Sequence, residues 1–482
     1  MSTDKAAEDV YQSPLSGRYC ARSPLLVLFS ERNRVVTWRQ LWCWLAQAQI
    51  ELGLTRVTPQ MLEEMEANKE NIDWAVCRNA EKRTKHDVMA HIHAYQQLCP
   101  LASGIIHLGA TSCFVVDNTD LIIMRQALDV LMRRLATCLH RLKDFADKHK
   151  LTVTVGRTHY QTASLVTVGK RACIWAQQLL TCLSQMKLLR DQLKFRGCKG
   201  ATGTQDSFLT LFDGDHNKVQ ALDKRVTELA GFQFRYSISG QTYDRLQDCL
   251  VLNVLTLCGA AVHKICLDLR IAQAYGELLE PFDKEQVGSS AMPYKKNPMR
   301  AERCCGFARY LMNLAPNACQ TAAMQGFERT LDDSSNRRLV LPDAFLTAEA
   351  MLLTFQNIVE GLTVQENTIS SIVARELPFL ALEKVLITLT QQGADRQEAH
   401  EKIRQVSLAA QERRERGESV DLGAILAENA YFESVIGRAK EWSSNPLLFV
   451  GRCKEQVEEF LEYELRPVLH SFETGEKSIL DV

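Results

Sequence analysis

The stretch GSSAMPYKKNP, at residues 288–298, brings two hydroxyl groups and two ammonium groups together in a chain that is otherwise rich in helical patterns. The hydroxyls belong to Ser289 and Ser290, and a serine hydroxyl is a weak base unless its anion is stabilised. Lys295 and Lys296 supply positive charge, and the helix predicted to follow would direct its positive end at the loop. This combination suits removal of a proton from a carbon beside a carboxylate. The alternative is an ordinary solvated loop.

Histidines are the other candidates for chemistry. An imidazole titrates near neutrality, which suits a general acid, and His159 in THYQ supplies one, although a lone histidine is more often structural. His86, His91 and His93 raise the question of a metal site. Residues two or five apart on a helix point in different directions, however, and neither HExxH nor a CxxC pair occurs in the chain. We therefore expect no metal site.

Nucleotide-cofactor motifs are also missing from the sequence. GxxxxGK[ST] does not occur, and the glycine-rich GCKGATGTQDS at 197–207 follows a predicted helix rather than a strand. We therefore expect no cofactor.

The composition is that of an ordinary globular protein. The 482 residues carry a formal net charge of −1, which argues against a broad nucleic-acid surface and a polybasic membrane patch. The most apolar run, at 249–262, is too short to span a membrane, and the polar N-terminus has no apolar signal core. The 16 cysteines are scattered through apolar helical patterns, which indicates reduced thiols. We expect a cytoplasmic protein with no nucleic-acid or membrane partner.

Long helices are expected to position these groups. Apolar residues recur at alternating spacings of three and four in three segments, 121–145, 165–193 and 341–362. A fourth segment, about 242–280, is apolar on nearly every side. At about 1.5 Å per residue the three seams predict rods of roughly 30–45 Å. Asp117 or Asn118 is a candidate cap for the first rod.

The predicted fold class is all-α, in three regions. An N-terminal helical domain is expected at 1–111, a central bundle of long helices at 112–364, and a C-terminal helical domain at 365–482 that ends in a loose tail, ETGEKSILDV. The flanking regions are too small to cover rods of this length. We therefore expect a homo-oligomer that shares its bundle between subunits.

Seven sequence blocks resemble, in the same order, those of the fumarase/aspartase superfamily. The signature is GSSAMPYKKNP, with Gly288, Ser289, Met292, Lys295 and Asn297 in register, and its tyrosine is similar to that of the adenylosuccinate lyase branch. The other blocks are SPLSGRY (13–19), KHDVMAH (85–91), IIHLGATS (105–112), GRTHYQTA (156–163), GQTYDR (240–245) and FERTLDDSSNRR (327–338).

The resemblance implies a three-domain, fumarase/aspartase-like fold whose central bundle is shared in a homotetramer, with each active site built from three chains. It implies a C–N lyase that acts on purine nucleotides without a cofactor or metal. Members of this branch remove fumarate by anti elimination from adenylosuccinate, giving AMP, and from the succinyl-carboxamide ribonucleotide (SAICAR), giving AICAR. A sister lyase, such as argininosuccinate lyase, and a helical protein without catalysis are the alternatives.

The resemblance also assigns roles to individual residues. His159 would protonate the leaving nitrogen, Ser289 would take the proton from carbon, and Lys295 would polarise the carboxylate. The remaining positions, for substrate contact, are Arg18, Tyr19, Lys85, His86, Asp87, Thr111, Ser112, Thr158, Gln241, Asn297, Arg303, Arg329, Ser334 and Arg338, with His86 also counted as catalytic. Lys85 stands where the family usually has arginine, so it lacks the planar fork of a bidentate contact.

Overall fold

The computed structural model describes residues 9–481, except the side chain of residue 440. Its N-terminal region is helical. After a π-helical turn at Leu15–Tyr19 come α1 (Pro24–Leu28), α2 (Glu31–Glu51), α3 (Pro59–Asn68), α4 (Trp74–Thr84) and α5 (Asp87–Leu98). Ser30, Thr58 and Asp73 cap α2, α3 and α4, because each side chain accepts a backbone N–H of the first turn.

The central region contains the longest helices. In chain order its elements are α6 (Ser112–Lys148), β1 (Val153–Thr158), β2 (Gln161–Thr167), α7 (Val168–Gln192), β3 (Lys194–Phe195), α8 (Asp206–Leu211), α9 (His216–Leu229), β4 (Phe234–Arg235), α10 (Leu246–Ala274), β5 (Leu278–Leu279), α11 (Met299–Ala323), α12 (Asp332–Gly361) and β6 (Thr363–Val364). Helices α6, α7, α10, α11 and α12 pack together as a bundle. The strands form three pairs: β1 with β2 and β5 with β6 are antiparallel, and β3 with β4 is parallel.

The C-terminal region is again helical, which confirms the predicted all-α fold. Its helices are α13 (Glu366–Gln391), α14 (Arg396–Glu415), α15 (Leu422–Ala427), α16 (Ile436–Ser444), α17 (Cys453–Glu459) and α18 (Arg466–Leu469), with 3₁₀ turns at Ala430–Val435 and Pro446–Phe449 and a π-helical turn at Phe460–Leu465.

The predicted rods are present, but two of their ends are corrected. Helix α6 has 37 residues, which makes it about 56 Å long. The predicted caps are wrong, because Asp117 and Asn118 lie inside α6 and are fully buried, and Thr111 precedes the helix. Helix α7 begins at Val168, and Leu165, the first residue of the predicted seam, belongs to β2 instead.

A buried network of charges fixes the start of α12 against α6 and α10. The guanidinium of Arg245 donates to Asp117 at 3.1 Å and to Asp333 at 2.7 Å. Arg337 donates to Asp248 at 2.7 Å. Buried charges are tolerated when they are paired and hydrogen-bonded in this way. Because Asp333 and Arg337 lie in the first turns of α12, the network also orients the polar residues around them.

Two hydrophobic cores support these elements. The larger core runs without a break from the N-terminal helices through the bundle, and it includes Trp42, Trp175 and Phe345. The smaller core lies within residues 381–442, around Phe432. The division of the chain at residues 111 and 364 stays a prediction.

The C-terminal tail is docked on the bundle, so the prediction of a loose tail is wrong. The backbone N–H of Gly475 donates to Thr137 of α6 at 3.2 Å. The hydroxyl of Ser478 donates to Glu360 of α12 at 2.7 Å. These partners lie more than 100 residues away, and a polar tail without periodicity gave no sign of them in the sequence.

Two of the described helices, α10 and α12, are long and apolar enough to cross a membrane by length and composition alone. Both belong to the bundle, where the most apolar part of α12 is mostly buried and that of α10 is half buried. Core helices of globular proteins have the same composition, so this feature is weak evidence for a membrane span.

Candidate active site

The signature loop, residues 288–298, lies between β5 and α11. Hydrogen bonds join the chain just before this loop to the first residues of α11. The carboxylate of Glu280 accepts the backbone N–H groups of Arg300 and Ala301 at 2.9 and 3.0 Å. The guanidinium of Arg300 donates to Asp283 at 2.6 Å. Burial raises the pKa of Glu280. The positive end of α11 therefore faces Glu280, which corrects the expectation that it points at the signature loop.

Within the loop, the two serines differ in their surroundings. The Oγ of Ser289 accepts the backbone N–H of Met292 at 3.2 Å and that of Ala291 at 3.4 Å. Donors of this kind favour an anionic oxygen. Ser290 is exposed, and within the described part of the chain its hydroxyl makes no hydrogen bond. The geometry thus favours Ser289 where the residue types alone left both serines open.

Close packing gives the signature loop its shape. The amide of Asn297 donates to the carbonyl of Gly288 at 2.8 Å. A Cβ at Gly288 would lie 2.1 Å from the carbonyl oxygen of Lys295, so only glycine allows this approach. The Lys295 side chain itself is exposed. One N–H of the Asn297 amide is thereby committed to the loop, while its second N–H and the Lys295 ammonium remain available to an anionic ligand.

His159 lies at the tip of the hairpin formed by β1 and β2. His159 and Tyr160 form the turn between the paired residues Thr158 and Gln161, and both have positive φ, 53° and 60°. Turns of this form favour asparagine and glycine, so other residues there cost about 1–3 kcal/mol each. The whole tip is exposed. The hairpin was not predicted, although the β-branched run TVTV at 152–155 is a strand signal.

Three of the residues predicted to contact the substrate meet at α11. The guanidinium groups of Arg18 and Arg303 lie 5.9 and 5.5 Å from the ring centroid of Tyr19. The Tyr19 ring in turn packs edge-on against Phe307 at 4.9 Å. Burial lowers the pKa of Arg303, so its charge lacks part of its hydration. An anion placed between the two arginines would relieve that cost, as a phosphate does.

Residues 85–87 lie at a junction between α4 and α5. Lys85 ends α4 with a φ of 55°, and His86 caps α5 by accepting the N–H of Met89 at 3.3 Å. Asp87 forms an ion pair with Arg338 of α12 at 2.5 Å. Burial opposes the charge on Asp87, but the hydrogen bonds from Arg338 and from the backbone of Val88, together with nearby positive charge, lower the pKa of Asp87. The side chain of His86 is 46% exposed, so its second nitrogen is accessible.

The start of α6 and the start of α12 line one cleft. Arg329 donates to Gln241 at 2.8 Å and also contacts the sulfur of Cys113. The Nε of Arg329 is buried without a partner among the described residues. Thr111 directly precedes α6, yet its hydroxyl does not cap the helix, and Ser112 is the first helical residue. Two further predicted residues, Ser334 and Arg338, line the cleft with Arg329.

His107 is a neighbour of this cleft that was not among the predicted site residues. The Nε1 of Trp42 donates to its Nδ1 at 2.9 Å, which leaves the proton of the neutral ring on Nε2. Burial, and then the proximity of His86, lowers the pKa of His107 to about 4. The residue lies in the IIHLGATS block and has a φ of 69°, so the block contained it but gave it no role.

The predicted site residues form three separate groups in the described chain. The loop group contains the signature loop with Arg303, Arg18 and Tyr19. The cleft group contains residues 85–87, Thr111, Ser112, Gln241, Arg329, Ser334 and Arg338. The hairpin group is Thr158 with His159. No hydrogen bond or ion pair between described residues joins His159 to Ser289, or either of them to the cleft group.

The three histidines considered as metal ligands serve different contacts. His86 caps α5, His91 packs between Trp38 and Trp74, and His93 contacts Gln97. Among the residues that the structure describes, no group of three or more His, Cys, Asp or Glu side chains is arranged to hold a metal ion.

Solved structures share the fold of this chain. The 3-carboxy-cis,cis-muconate lactonizing enzyme of Pseudomonas putida superposes with a TM-score of 0.82 at 23% identity, over 95% of this chain and 100% of that one. A fumarate lyase of Mesorhizobium sp. BNC1 gives a TM-score of 0.79 at 20% identity, over 93% and 99% of the two chains. The long-helix bundle is thus a fold that this chain shares with these two enzymes.

Comparison of sequences shows the family to which this chain belongs. The lyase family profile matches residues 29–312, and that of the adenylosuccinate lyase C-terminus matches 378–460. Adenylosuccinate lyase of Caenorhabditis briggsae is 52% identical over 99% of this chain and 100% of its own length, and that of Schizosaccharomyces pombe is 46% identical over 96% of each chain. The chain belongs to the adenylosuccinate lyase family, and it is a lyase.

Proposed function

We propose that this lyase releases fumarate from adenylosuccinate, giving AMP, and from SAICAR, giving AICAR, by anti β-elimination. The observation that carries the proposal is the surroundings of Ser289. Its Oγ accepts two backbone N–H groups inside an intact signature loop that also contains Lys295. The family membership and the names of the full-length relatives support the substrate assignment.

Ser289 acts as the general base in this proposal. The N–H groups of Met292 and Ala291 stabilise its alkoxide, and the exposed ammonium of Lys295 adds positive charge when substrate binds. The alkoxide takes a proton from the succinyl carbon next to the one that bears nitrogen. The electron pair left behind is delocalised into the neighbouring carboxylate as an aci-anion, which Lys295 and Asn297 polarise.

His159 acts as the general acid. The aci-anion collapses to form the C=C bond of fumarate as the C–N bond breaks, and protonated His159 gives its proton to the leaving nitrogen. The strained turn at 159–160 supports this role, because non-glycine residues with positive φ concentrate at functional sites. Thr158 is the adjacent hydroxyl on the same tip.

The remaining groups bind the two ends of the substrate. The arginines of the loop group, Arg18 and Arg303, together with those of the cleft group, Arg329 and Arg338, hold the phosphate with Tyr19 and Ser334. The unpaired Nε of Arg329 supports this assignment, since a buried donor calls for an acceptor. Thr111, Ser112 and Gln241 contact the succinyl part, and Lys85, His86 and Asp87 orient the substrate.

We infer a homotetramer in which each active site combines the three groups from three different chains. The separation of Ser289, His159 and the cleft in one chain supports this arrangement. Apolar side chains on one face of α10 support it as well, because Leu246, Leu250 and Leu257 are 58%, 54% and 49% exposed. The division into domains at 1–111, 112–364 and 365–482 is part of the same proposal.

We also infer a cytoplasmic location with small-molecule substrates, and without nucleic acid or membrane as partner. All 16 cysteines are free thiols, and 15 of them are buried, which suits a reducing compartment. Formal net charge is −1, so there is no general excess of cations to attract nucleic acid.

An ultraviolet assay of adenylosuccinate cleavage tests the proposed reaction. Wild-type protein should release fumarate, whereas Ser289→Ala and His159→Ala should each lose about 100-fold or more in kcat. Ser290→Ala is the matched control and should stay within about threefold of wild type, since its hydroxyl is exposed and makes no hydrogen bond within the described chain. Turnover of argininosuccinate but not adenylosuccinate, or equal losses for both serine variants, would refute the assignment.

A further inference from the structure

The hairpin that carries His159 has little support near its tip. All side chains from Thr158 to Ser164 are exposed, whereas the base of the hairpin is buried through Val155 and Leu165. A cavity lies beside the tip, lined by Gly156, Tyr160 and residues of α7 and α10. A two-stranded hairpin is only marginally stable alone, so a contact close to the tip must set the direction of the imidazole.

Arg157 makes that contact, two residues before His159. The register of β1 and β2 shifts between Gly156 and Arg157, a bulge that redirects the side chains beyond it. The guanidinium of Arg157 donates to Glu277 at 2.6 Å and lies 4.2 Å from the ring centroid of Tyr275. It is 14% exposed, so water screens the contact only partly.

Glu277 joins the tip to the body of the molecule. Its carboxylate is 1% exposed and also pairs with Arg171 of α7 at 3.5 Å, and Arg171 donates to the carbonyl of Val155 in β1 at 2.7 Å. The backbone of Glu277 is fixed on both sides, because its N–H donates to Ala272 and its carbonyl accepts from Gln365, both at 2.9 Å. Glu277 therefore holds the hairpin at two points from a rigid position.

We propose that Glu277 is a positioning residue for the reaction, acting through Arg157 to fix the hairpin tip that carries His159. This inference rests on the proposed function, in which His159 is the general acid. A charge-assisted hydrogen bond is directional, so a carboxylate at this place restricts the rotation of the tip more than an apolar contact would. Misplacement of a catalytic group lowers the rate of the chemical step more than it lowers substrate binding.

Kinetics of Glu277→Gln and Arg157→Gln test the proposal. Each variant should lose about tenfold in kcat with KM changed less than about threefold. The double variant should lose no more than the worse single variant, because both changes break one contact. Glu349→Gln is the matched control: its carboxylate is also 1% exposed and paired with an arginine, Arg134 at 3.0 Å, but it lies remote from the hairpin. The control should lower Tm and leave kcat unchanged.

Hydrogen exchange over residues 156–164 gives a readout that does not depend on the reaction. Hydrogen exchange in this segment should be faster in Glu277→Gln and in Arg157→Gln than in wild type and in the Glu349→Gln control. If Glu277→Gln fails to fold, Arg157→Gln decides the question, because it leaves the Glu277–Arg171 pair in place. Wild-type kcat in Arg157→Gln, multiplicative losses in the double variant, or unchanged exchange would each overturn the proposal. If the wild-type protein had no lyase activity, the proposed function would be refuted. Hydrogen exchange would then still test whether the contact between Glu277 and Arg157 fixes the hairpin tip.

Discussion

Mixing two inactive variants should restore activity if each site takes its hairpin and its signature loop from different chains. Ser289→Ala removes the proposed base from the loop group, and His159→Ala removes the proposed acid from the hairpin group. Within the described chain no hydrogen bond or ion pair joins these two residues, and the hairpin tip is exposed. A mixed tetramer can therefore contain sites with an intact loop from one variant and an intact hairpin from the other.

The size of the recovery follows from this geometry. With equal amounts of the two variants and random assembly, half of the hairpins keep the imidazole and half of the loops keep the seryl oxygen. The two choices are independent when they come from different chains, so about a quarter of the sites keep both groups. If one chain supplied both groups, every site would lack one of them and no activity would return.

Co-expression of the two variants with different affinity tags supplies the mixed tetramers. Tandem purification followed by the fumarate-release assay should give kcat per site of about a quarter of wild type. The matched control pairs Ser289→Ala with Lys295→Ala, since both residues lie in one loop and no mixture can restore it. A mixed tetramer of correct mass with no more activity than either parent would refute the three-chain site.

Two further predictions concern single side chains. Burial, and then the charge of Arg39, lowers the pKa of His91 to about 4. Between that value and about 6.5, His91 is therefore protonated in the unfolded chain but neutral in the folded chain. His91 should contribute about 2 kcal/mol per chain to the fall in the free energy of unfolding between pH 7 and pH 5, with a similar share from His107, and His91→Asn should remove the first share in urea titrations; an unchanged pH dependence would contradict it. Arg329→Lys should raise KM about tenfold with a smaller change in kcat, because lysine lacks the fork that reaches Gln241 and a phosphate together; an unchanged KM would contradict this role.

The fold class was predictable because the periodic placement of apolar residues is a local property. Seams of three-and-four spacing gave the long helices, and α6, α7 and α12 contain most of each predicted segment. Ends were less predictable. Asp117 and Asn118 have the residue types of helix caps, but Arg245 and Arg196 are their actual partners, contributed from elsewhere in the chain. A partner distant in sequence leaves no local pattern.

The candidate site shows the same division. The residue types of the signature loop, and the order of the seven blocks, predicted the chemistry and the members of the site. Residue types alone left Ser289 and Ser290 open, the register of the signature chose Ser289, and the N–H groups of Met292 and Ala291 favour the same residue. The blocks gave no role to Glu277, because its importance lies in contacts with Arg157 and Arg171 across 120 and 106 positions.

The sequence by itself determined which chemical groups this protein has and that long helices display them, since both follow from residue type and local spacing. Only the tertiary structure shows which groups are neighbours: that Glu280 lies at the start of α11, that Arg338 meets Asp87, and that Arg157 of the hairpin meets Glu277. The physical reason is that hydrogen bonds and ion pairs act over a few ångströms, whatever the separation of the partners along the chain.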